Sequence, residues 1–285
     1  MKVAIFGISG QLGSDVAAAL ASHEIIPVDH DRADIRDERA VTDAVKAANP
    51  VWVVNCAAMT HVEGCERDAL AAFEANALGA RNISRAATDS GARLLQISTD
   101  YVFDGARETP YAEADLPRPL NVYGASKLSG EWAVRSDPRH VVLRTSGLYG
   151  FHACRGKGTN FVETMLKRAS SGAPTRVVND EVLTPTFSID LAAQIRSMIE
   201  TGVPGGVYHA TNAGSCSWYE FAREIFRIAG ANPAPDPVSA AEWNSPVRRP
   251  RYSVLEHRAL AALHLDTMPD WRDALARYFT GRKDA

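Results

Sequence analysis

The stretch MKVAIFGISGQLG (residues 1–13) decides the fold. An apolar run, Lys2–Phe6, leads directly into Gly7, Gly10 and Gly13, and an amphipathic segment follows. That order reads as strand, tight turn and helix. Glycines let the backbone turn sharply and let a pyrophosphate approach the helix N-terminus, where unpaired N–H groups point outward. Glycines at G-x-x-G-x-x-G spacing also serve ordinary strand-to-helix turns. The place of this loop, between a strand and a helix, points to a dinucleotide.

Outward from the loop, the first half alternates between two patterns. Glu24–Val28, Val51–Asn55, Arg93–Ser98 and His140–Arg144 are short apolar runs, as strands covered on both faces should be. Leu12–Ala21, Glu38–Ala48, Ala69–Ser90 and Tyr123–Arg135 have helical patterning. Strands alternating with helices predict an α/β fold with a doubly wound parallel sheet. The second half predicts helices over Asn160–Ser171, Ser188–Thr201, Trp218–Ala229 and Trp271–Phe279, a strand at Thr175–Val178, and a polar, frayed tail. Ser217-x-x-Glu220 is a capping box for the third of these helices. Residues 1–150 are expected to form a cofactor-binding domain, rejoined by the helix near 188–201. Residues 151–285 are expected to form a smaller α/β domain over its cleft.

Composition narrows the function. The chain has 285 residues, 46% of them hydrophobic, and a net charge of −3. It has no block of like charge, which argues against a nucleic-acid or membrane binder. No run approaches the ~18 apolar residues of a membrane span, and the start is too short to hold a leader's apolar core. Cys56, Cys65, Cys154 and Cys216 show no C-x-x-C spacing, so a reduced, cytoplasmic protein is expected. The histidines stand singly, without ligand spacing, and no protein-bound metal is expected.

Two further stretches carry chemistry. Tyr123-Gly-Ala-Ser-Lys127 places a phenol and an ammonium on one helix face. A nearby cation favours the phenolate, so the lysine tunes the hydroxyl as a proton donor. Ser98-Thr99-Asp100-Tyr101-Val102-Phe103 follows the fourth strand, at the carboxyl edge where such sheets bind ligands. Thr99 is placed there to hydrogen-bond a substrate oxygen. Asp29 ends the second strand and suits the ribose hydroxyls of NADH, whereas His30 and Arg32 would neutralise the extra phosphate of NADPH. Both cofactors stay open.

Together these motifs resemble the extended short-chain dehydrogenase/reductase family and, within it, the dTDP-4-dehydrorhamnose reductases. The likeness runs through GISGQLG, NCAAMT (55–60), STDYVFDG (98–105), NVYGASKLSGE (121–131), RTSGLYG (144–150), TNFVETML, LTPTFSIDLA, GVYHATNAG and RPRYSVL. It implies a Rossmann-type domain with a small substrate-binding domain, and hydride reduction of the C4 ketone of a nucleotide sugar. It implies that Gly7, Gly10, Gln11 and Leu12 contact the pyrophosphate, and Asp34 and Ile35 the adenine. Ala57, Ala58 and Thr60 would line the path to the nicotinamide. Thr99, Tyr123 and Lys127 match the catalytic threonine, tyrosine and lysine, and Lys127 would also bond the nicotinamide ribose. Asp100, Tyr101, Phe103, Asn121 and Gly147 would flank the sugar nucleotide. Apart from the resemblance, Arg249, with Arg248 and Arg251, is expected to hold the nucleotide's phosphates in the second domain, since guanidinium matches phosphate geometry. The resemblance also implies a homodimer, and magnesium at a subunit contact rather than in chemistry.

The chain departs from the family pattern at three places. Gly147 stands where the family has tryptophan, which implies a larger pocket and leaves open another nucleotide-linked 4-keto-6-deoxy sugar. Met59 replaces a tyrosine, and Leu183 a small residue. Tyr101 stands where the related dehydratases carry an acid, so elimination chemistry is disfavoured. The resemblance also extends to a non-catalytic regulatory subunit, that of methionine adenosyltransferase. Intact Thr99, Tyr123 and Lys127 favour the enzyme.

Overall fold

The computed structural model describes residues 1–152 and 158–282. In chain order, β1 (Lys2–Phe6), α1 (Gln11–Ala19), β2 (Glu24–Val28), α2 (Glu38–Ala48), β3 (Trp52–Asn55) and α3 (Val62–Arg67) come first. Next are α4 (Ala69–Phe73), a π-helical turn (Glu74–Leu78), α5 (Gly79–Asp89), β4 (Arg93–Thr99), α6 (Val122–Val134) and β5 (Val141–Thr145). Beyond them lie β6 (Leu148–Tyr149), α7 (Phe161–Ser171), β7 (Arg176–Val178), β8 (Val182–Leu183), β9 (Thr186–Phe187) and α8 (Ser188–Thr201). The chain continues through β10 (Gly206–His209), β11 (Cys216–Ser217), α9 (Trp218–Ala229), β12 (Asp236–Val238), α10 (Ala240–Trp243), α11 (Arg258–Ala262) and α12 (Trp271–Arg282).

Six parallel strands form the main sheet in the order β2-β1-β3-β4-β5-β10. Successive residues of β1 point to opposite faces. Val3 and Ile5 pack with Leu12 and Val16 of α1 and with Leu191, Ile195 and Met198 of α8. Ala4 and Phe6 pack with Val41 and Val45 of α2 and with Ile83 and Ala87 of α5. Both faces are therefore covered, which is why the strands are apolar throughout. Burying each such aliphatic side chain stabilises the fold by roughly 1.5–3 kcal/mol. β2 is an edge strand, and only there does the sheet tolerate a proline, Pro27. The strands are all parallel, but the order in which they are added switches sides at β1, with β2 on one flank and β3 on the other, and a crevice opens at the carboxyl ends of β1 and β3.

Three details differ from the sequence reading. The sixth strand, β10, comes from beyond residue 150 and pairs with β5. Its four residues include a glycine and a histidine, too little for a periodic signal. The helix expected over Ala69–Ser90 is interrupted by the π-helical turn. That turn aims Asn76 at its partners: its Oδ1 accepts from Met59 N (2.8 Å), and its Nδ2 donates to Met59 O and Ser126 Oγ. The last helix continues past Phe279 to Arg282, whose Nε donates to Glu163 Oε1 at 2.8 Å. The remainder of the expected tail, and Cys154, lie outside the described residues.

The described residues of the second half form no large sheet of their own. Three two-stranded ladders, β6 with β9, β7 with β12 and β8 with β11, surround an aromatic cluster. Tyr149, Phe187, Phe221, Trp271 and Tyr278 are buried within it. The capping box at Ser217 and Glu220 is formed in both directions and starts α9.

Candidate active site

A cleft of about 610 Å³ runs from the β1–α1 turn to the N-terminus of α6. At one end, Gly7 takes φ +71, and a Cβ there would come within 2.9 Å of Ala57 N. The turn and the loop after β3 therefore touch through bare backbone. Gly10 caps α1 without any side chain accepting from its first turn, which leaves those N–H groups for an anion. Gly7, Gly10, Gln11, Leu12, Asp29, Asp34, Ile35, Ala57, Ala58 and Thr60 all line this half of the cleft. Asp29 accepts from Ser9 N at 3.2 Å and Ser9 Oγ at 2.8 Å, which fixes its carboxylate at the end of β2. Asp34 is held below the usual carboxylate range by its hydrogen bonds from Arg36. His30 and Arg36 also line the cleft, whereas Arg32 turns away to donate to the Pro27 carbonyl.

At the other end, β4 and α6 bring Thr99, Asp100, Tyr101, Tyr123 and Lys127 together on the cleft wall. Gly124 makes this approach feasible: a Cβ there would lie 2.1 Å from the Tyr101 carbonyl oxygen. The Tyr101 and Tyr123 rings meet edge to face at 5.9 Å. Lys127 Nζ donates to the Ile97 carbonyl at 2.6 Å, and burial lowers its pKa to about 8. Thr99 Oγ1 donates to Asp100 Oδ1 and accepts from Tyr101 N. The Asp100 carboxyl accepts from Ser146 Oγ (2.8 Å) and Ser253 Oγ (2.6 Å), while burial pushes its pKa up. Burial pushes the pKa of the Cys56 thiol, which lines the cleft, up to about 12, away from a reactive thiolate. Cys56 and Cys216 are free thiols, and no group of three or more His, Cys, Asp or Glu among the described residues is arranged to hold a metal.

Three expected substrate contacts lie elsewhere. Phe103 is wholly buried, stacked on Tyr111 at 4.3 Å in a core with Val102 and Leu128. Past the turn at Asp100–Val102 its side chain points away from the cleft. Asn121 is the N-cap of α6: its Oδ1 accepts from Gly124 N, and its Nδ2 donates to the Arg248 carbonyl. Arg249 does not line the cleft and instead pairs with Glu63, joining α3 to the second half. Gly147 does line the cleft. It takes φ +55, and a Cβ there would come within 2.8 Å of Leu183 Cδ1. Leu183 fills the space that a side chain at 147 would take.

The cleft has a wall that the motifs did not reveal. Phe161 at the start of α7, Trp218 at the start of α9, and Ser146 after β5 all face it. Phe161 and Trp218 pack together with ring centroids 4.6 Å apart. The capping box before Trp218 was the available signal, because it fixes that residue at a helix start.

The sequence matches the RmlD substrate binding domain family over residues 1–283. It is 39% identical to a spore coat polysaccharide biosynthesis protein, SpsK, of Bacillus subtilis, covering 100% of this chain and 99% of that one. It is 36% identical to a dTDP-4-keto-6-deoxy-D-glucose reductase of Streptomyces niveus, covering 96% and 95% of the two chains. The crystal structure of a dTDP-4-dehydrorhamnose reductase from Bacillus anthracis in complex with NADP superposes with a TM-score of 0.93 at 38% identity, covering 98% and 99%. Matched along nearly its whole length in sequence and in three dimensions, the chain belongs to the dTDP-4-dehydrorhamnose reductase family.

Proposed function

We propose that this protein reduces the C4 ketone of dTDP-4-dehydro-6-deoxy-L-mannose to dTDP-L-rhamnose, using NADPH or NADH. The observation that carries this reading is the convergence of Thr99, Tyr123 and Lys127 on one wall of a cleft whose far end is the glycine turn. The far end fits a dinucleotide: a Cβ would fill the cradle at Gly7, and the α1 N-terminus has no side-chain cap. Gly7, Gly10, Gln11 and Leu12 hold the pyrophosphate, Asp29 a ribose, Asp34 and Ile35 the adenine, and Ala57, Ala58 and Thr60 the approach to the nicotinamide. When bound, the reduced nicotinamide supplies the hydride for the ketone carbon.

The chain's own residues manage the oxygen. Thr99 turns its one hydroxyl proton from Asp100 Oδ1 to the ketone oxygen and orients it. Tyr123 gives that oxygen its hydroxyl proton as negative charge develops, and the Lys127 ammonium stabilises the phenolate left behind. Such general acid catalysis contributes about 10²–10⁴ in rate. Asp100, Tyr101 and Gly147 flank the sugar, and Phe161 and Trp218 offer it an apolar wall. Residues 1–150 with α8 and β10 serve as the cofactor-binding unit, and the remainder as the sugar-nucleotide unit. Among the described residues no helix is long and apolar enough to cross a membrane.

The test is a spectrophotometric one. Protein mixed with NADPH or NADH and enzymatically prepared dTDP-4-dehydro-L-rhamnose should consume the reduced-nicotinamide absorbance, with dTDP-L-rhamnose as product. Binding of both cofactors without any oxidation would overturn the reading. A second reading keeps the chemistry and changes the sugar to another dTDP-linked 4-keto-6-deoxy hexose. Leu183 packed against Gly147 favours it, because that contact reshapes the wall beside the ketone. A panel of such sugars ranked by kcat/KM separates the two.

A further inference from the structure

Behind the catalytic wall lies a charged cluster that the proposed mechanism leaves unused. Tyr123, Lys127 and Glu131 are spaced four residues apart on α6 and share one face. The first two reach the cleft, while Glu131 is wholly buried beneath it. Its carboxylate accepts from Ser98 Oγ at 2.6 Å, and from Arg144 Nε at 2.9 Å and Nη2 at 2.7 Å. Arg144 is as fully buried as its partner. Its remaining nitrogen meets His209 Nε2 at 3.3 Å. A guanidinium can only donate, so His209 Nε2 accepts there, and its Nδ1–H donates to the Glu256 carbonyl at 3.1 Å. The imidazole is therefore neutral, and the cluster holds one anion and one cation.

A buried ion pair of this kind adds little stability compared with apolar side chains of the same volume. Its placement is more informative than its strength. The titratable groups facing Lys127 are Tyr123 and Glu131 on its own helix, Cys56 after β3, and Cys65 in α3. Cys65 Sγ donates to the Met59 carbonyl at 3.6 Å and so carries its proton, and the Cys56 thiol is held protonated by burial. Glu131 is the anion in that set.

We propose that Glu131, locked by Arg144 and Ser98, is a positioning residue that keeps Lys127 cationic through the catalytic cycle. This inference rests on the ketoreductase reading, since it gives the lysine's charge its purpose. Burial works against the ammonium, whereas the carboxylate one turn away favours it. Ser98 also ties the cluster to the residue next to Thr99, so one network supports both sides of the reacting oxygen.

The experiment compares the wild type with Glu131→Gln, which keeps the size and the acceptor for Ser98 but removes the charge. Two readouts are taken: kcat/KM against pH, and the NMR titration of the Lys127 Cε resonance in cofactor-free protein, assigned with Lys127→Arg. Neutralising Glu131 should move the alkaline limb and the Cε midpoint down together by about one pH unit. That is about a tenfold loss of kcat/KM on the alkaline side, against less than twofold at pH 6. Glu131→Asp should restore both midpoints. A folded Glu131→Gln protein with both midpoints unmoved would overturn the proposal, leaving the pair a purely structural element. If Glu131→Gln does not fold, Glu131→Gln combined with Arg144→Met removes the charges together and is judged by the same midpoints. Failure of both to fold would assign the pair to the core and equally overturn the proposal. A wild type that reduces no keto sugar, with a Cε midpoint that still moves in Glu131→Gln, would refute the proposed reaction and leave the coupling standing.

Discussion

The two ends of the cleft are built by different means. At the dinucleotide end, the work is done by backbone: a left-handed Gly7 against Ala57, an uncapped helix start, and strand ends in fixed register. At the opposite wall, aromatic side chains from α7 and α9 face the cleft, carried by ladders two or three residues long. A backbone cradle recognises what dinucleotides have in common, whereas a side-chain wall can be altered one residue at a time. The lesson is that the chemistry sits where the two constructions meet, on α6 and the end of β4.

The largest effect should come from that junction. Tyr123→Phe removes the proton donor and should lower kcat by about 10²–10⁴-fold, while fluorescence titration shows the reduced cofactor still binding. Turnover within tenfold of the wild type would mean that another group supplies the proton. Phe221→Ala tests the side-chain construction. Phe221 is fully buried, and Phe161 on the cleft wall stacks on it at 5.6 Å. The change should cost about 3–5 kcal/mol in denaturant unfolding and raise KM for the sugar nucleotide far more than Kd for the cofactor. Equal losses at both ends would erase the distinction drawn above.

A smaller effect concerns acid. Burial, with Arg144 close by, depresses the His209 pKa to about 3, so the folded protein resists a proton that the unfolded chain accepts near 6.5. The unfolded state then binds more protons across that interval, and stability falls as pH falls from 6.5 towards 3. Between pH 7 and pH 5 the loss should be roughly 2 kcal/mol, seen in chemical unfolding at the two pH values. His209→Gln should flatten that dependence, and an unchanged slope would show that other groups set it. The smallest effect is at Gly172, which ends α7 at φ +62 with open space around it. Gly172→Ala should cost about 1–2 kcal/mol and leave kcat/KM within twofold, in contrast to Gly7→Ala, whose Cβ strikes backbone.

Legibility in the sequence followed the same division. A strand covered on both faces shows as an unbroken apolar run, so Lys2–Phe6 could be read to the residue, and the edge strand Glu24–Val28 was read from its short Ile-Ile-Pro-Val run. The two-residue strands, such as Leu148–Tyr149 and Thr186–Phe187, have no period to detect. The π-helical turn arises from tertiary bonds of Asn76, which local sequence does not encode. Within the site, Thr99, Tyr123 and Lys127 stand in short motifs and were legible. Phe103 and Asn121 stand in the same motifs but serve the core and a helix cap, because neighbours along a motif need not share a face. Phe161 and Trp218 reach the cleft from separate helices, and no motif connects them.

The pairing of β10 with β5 bears on how the protein is made. Strand β5 ends at Thr145, but its outer partner begins at Gly206, and α8, which covers α1, lies between them. During synthesis the sheet thus stays one strand short, with part of one face bare, until residues 206–209 have left the ribosome. The completed sheet waits on a segment that arrives only after α7 and four of the short strands of the second half.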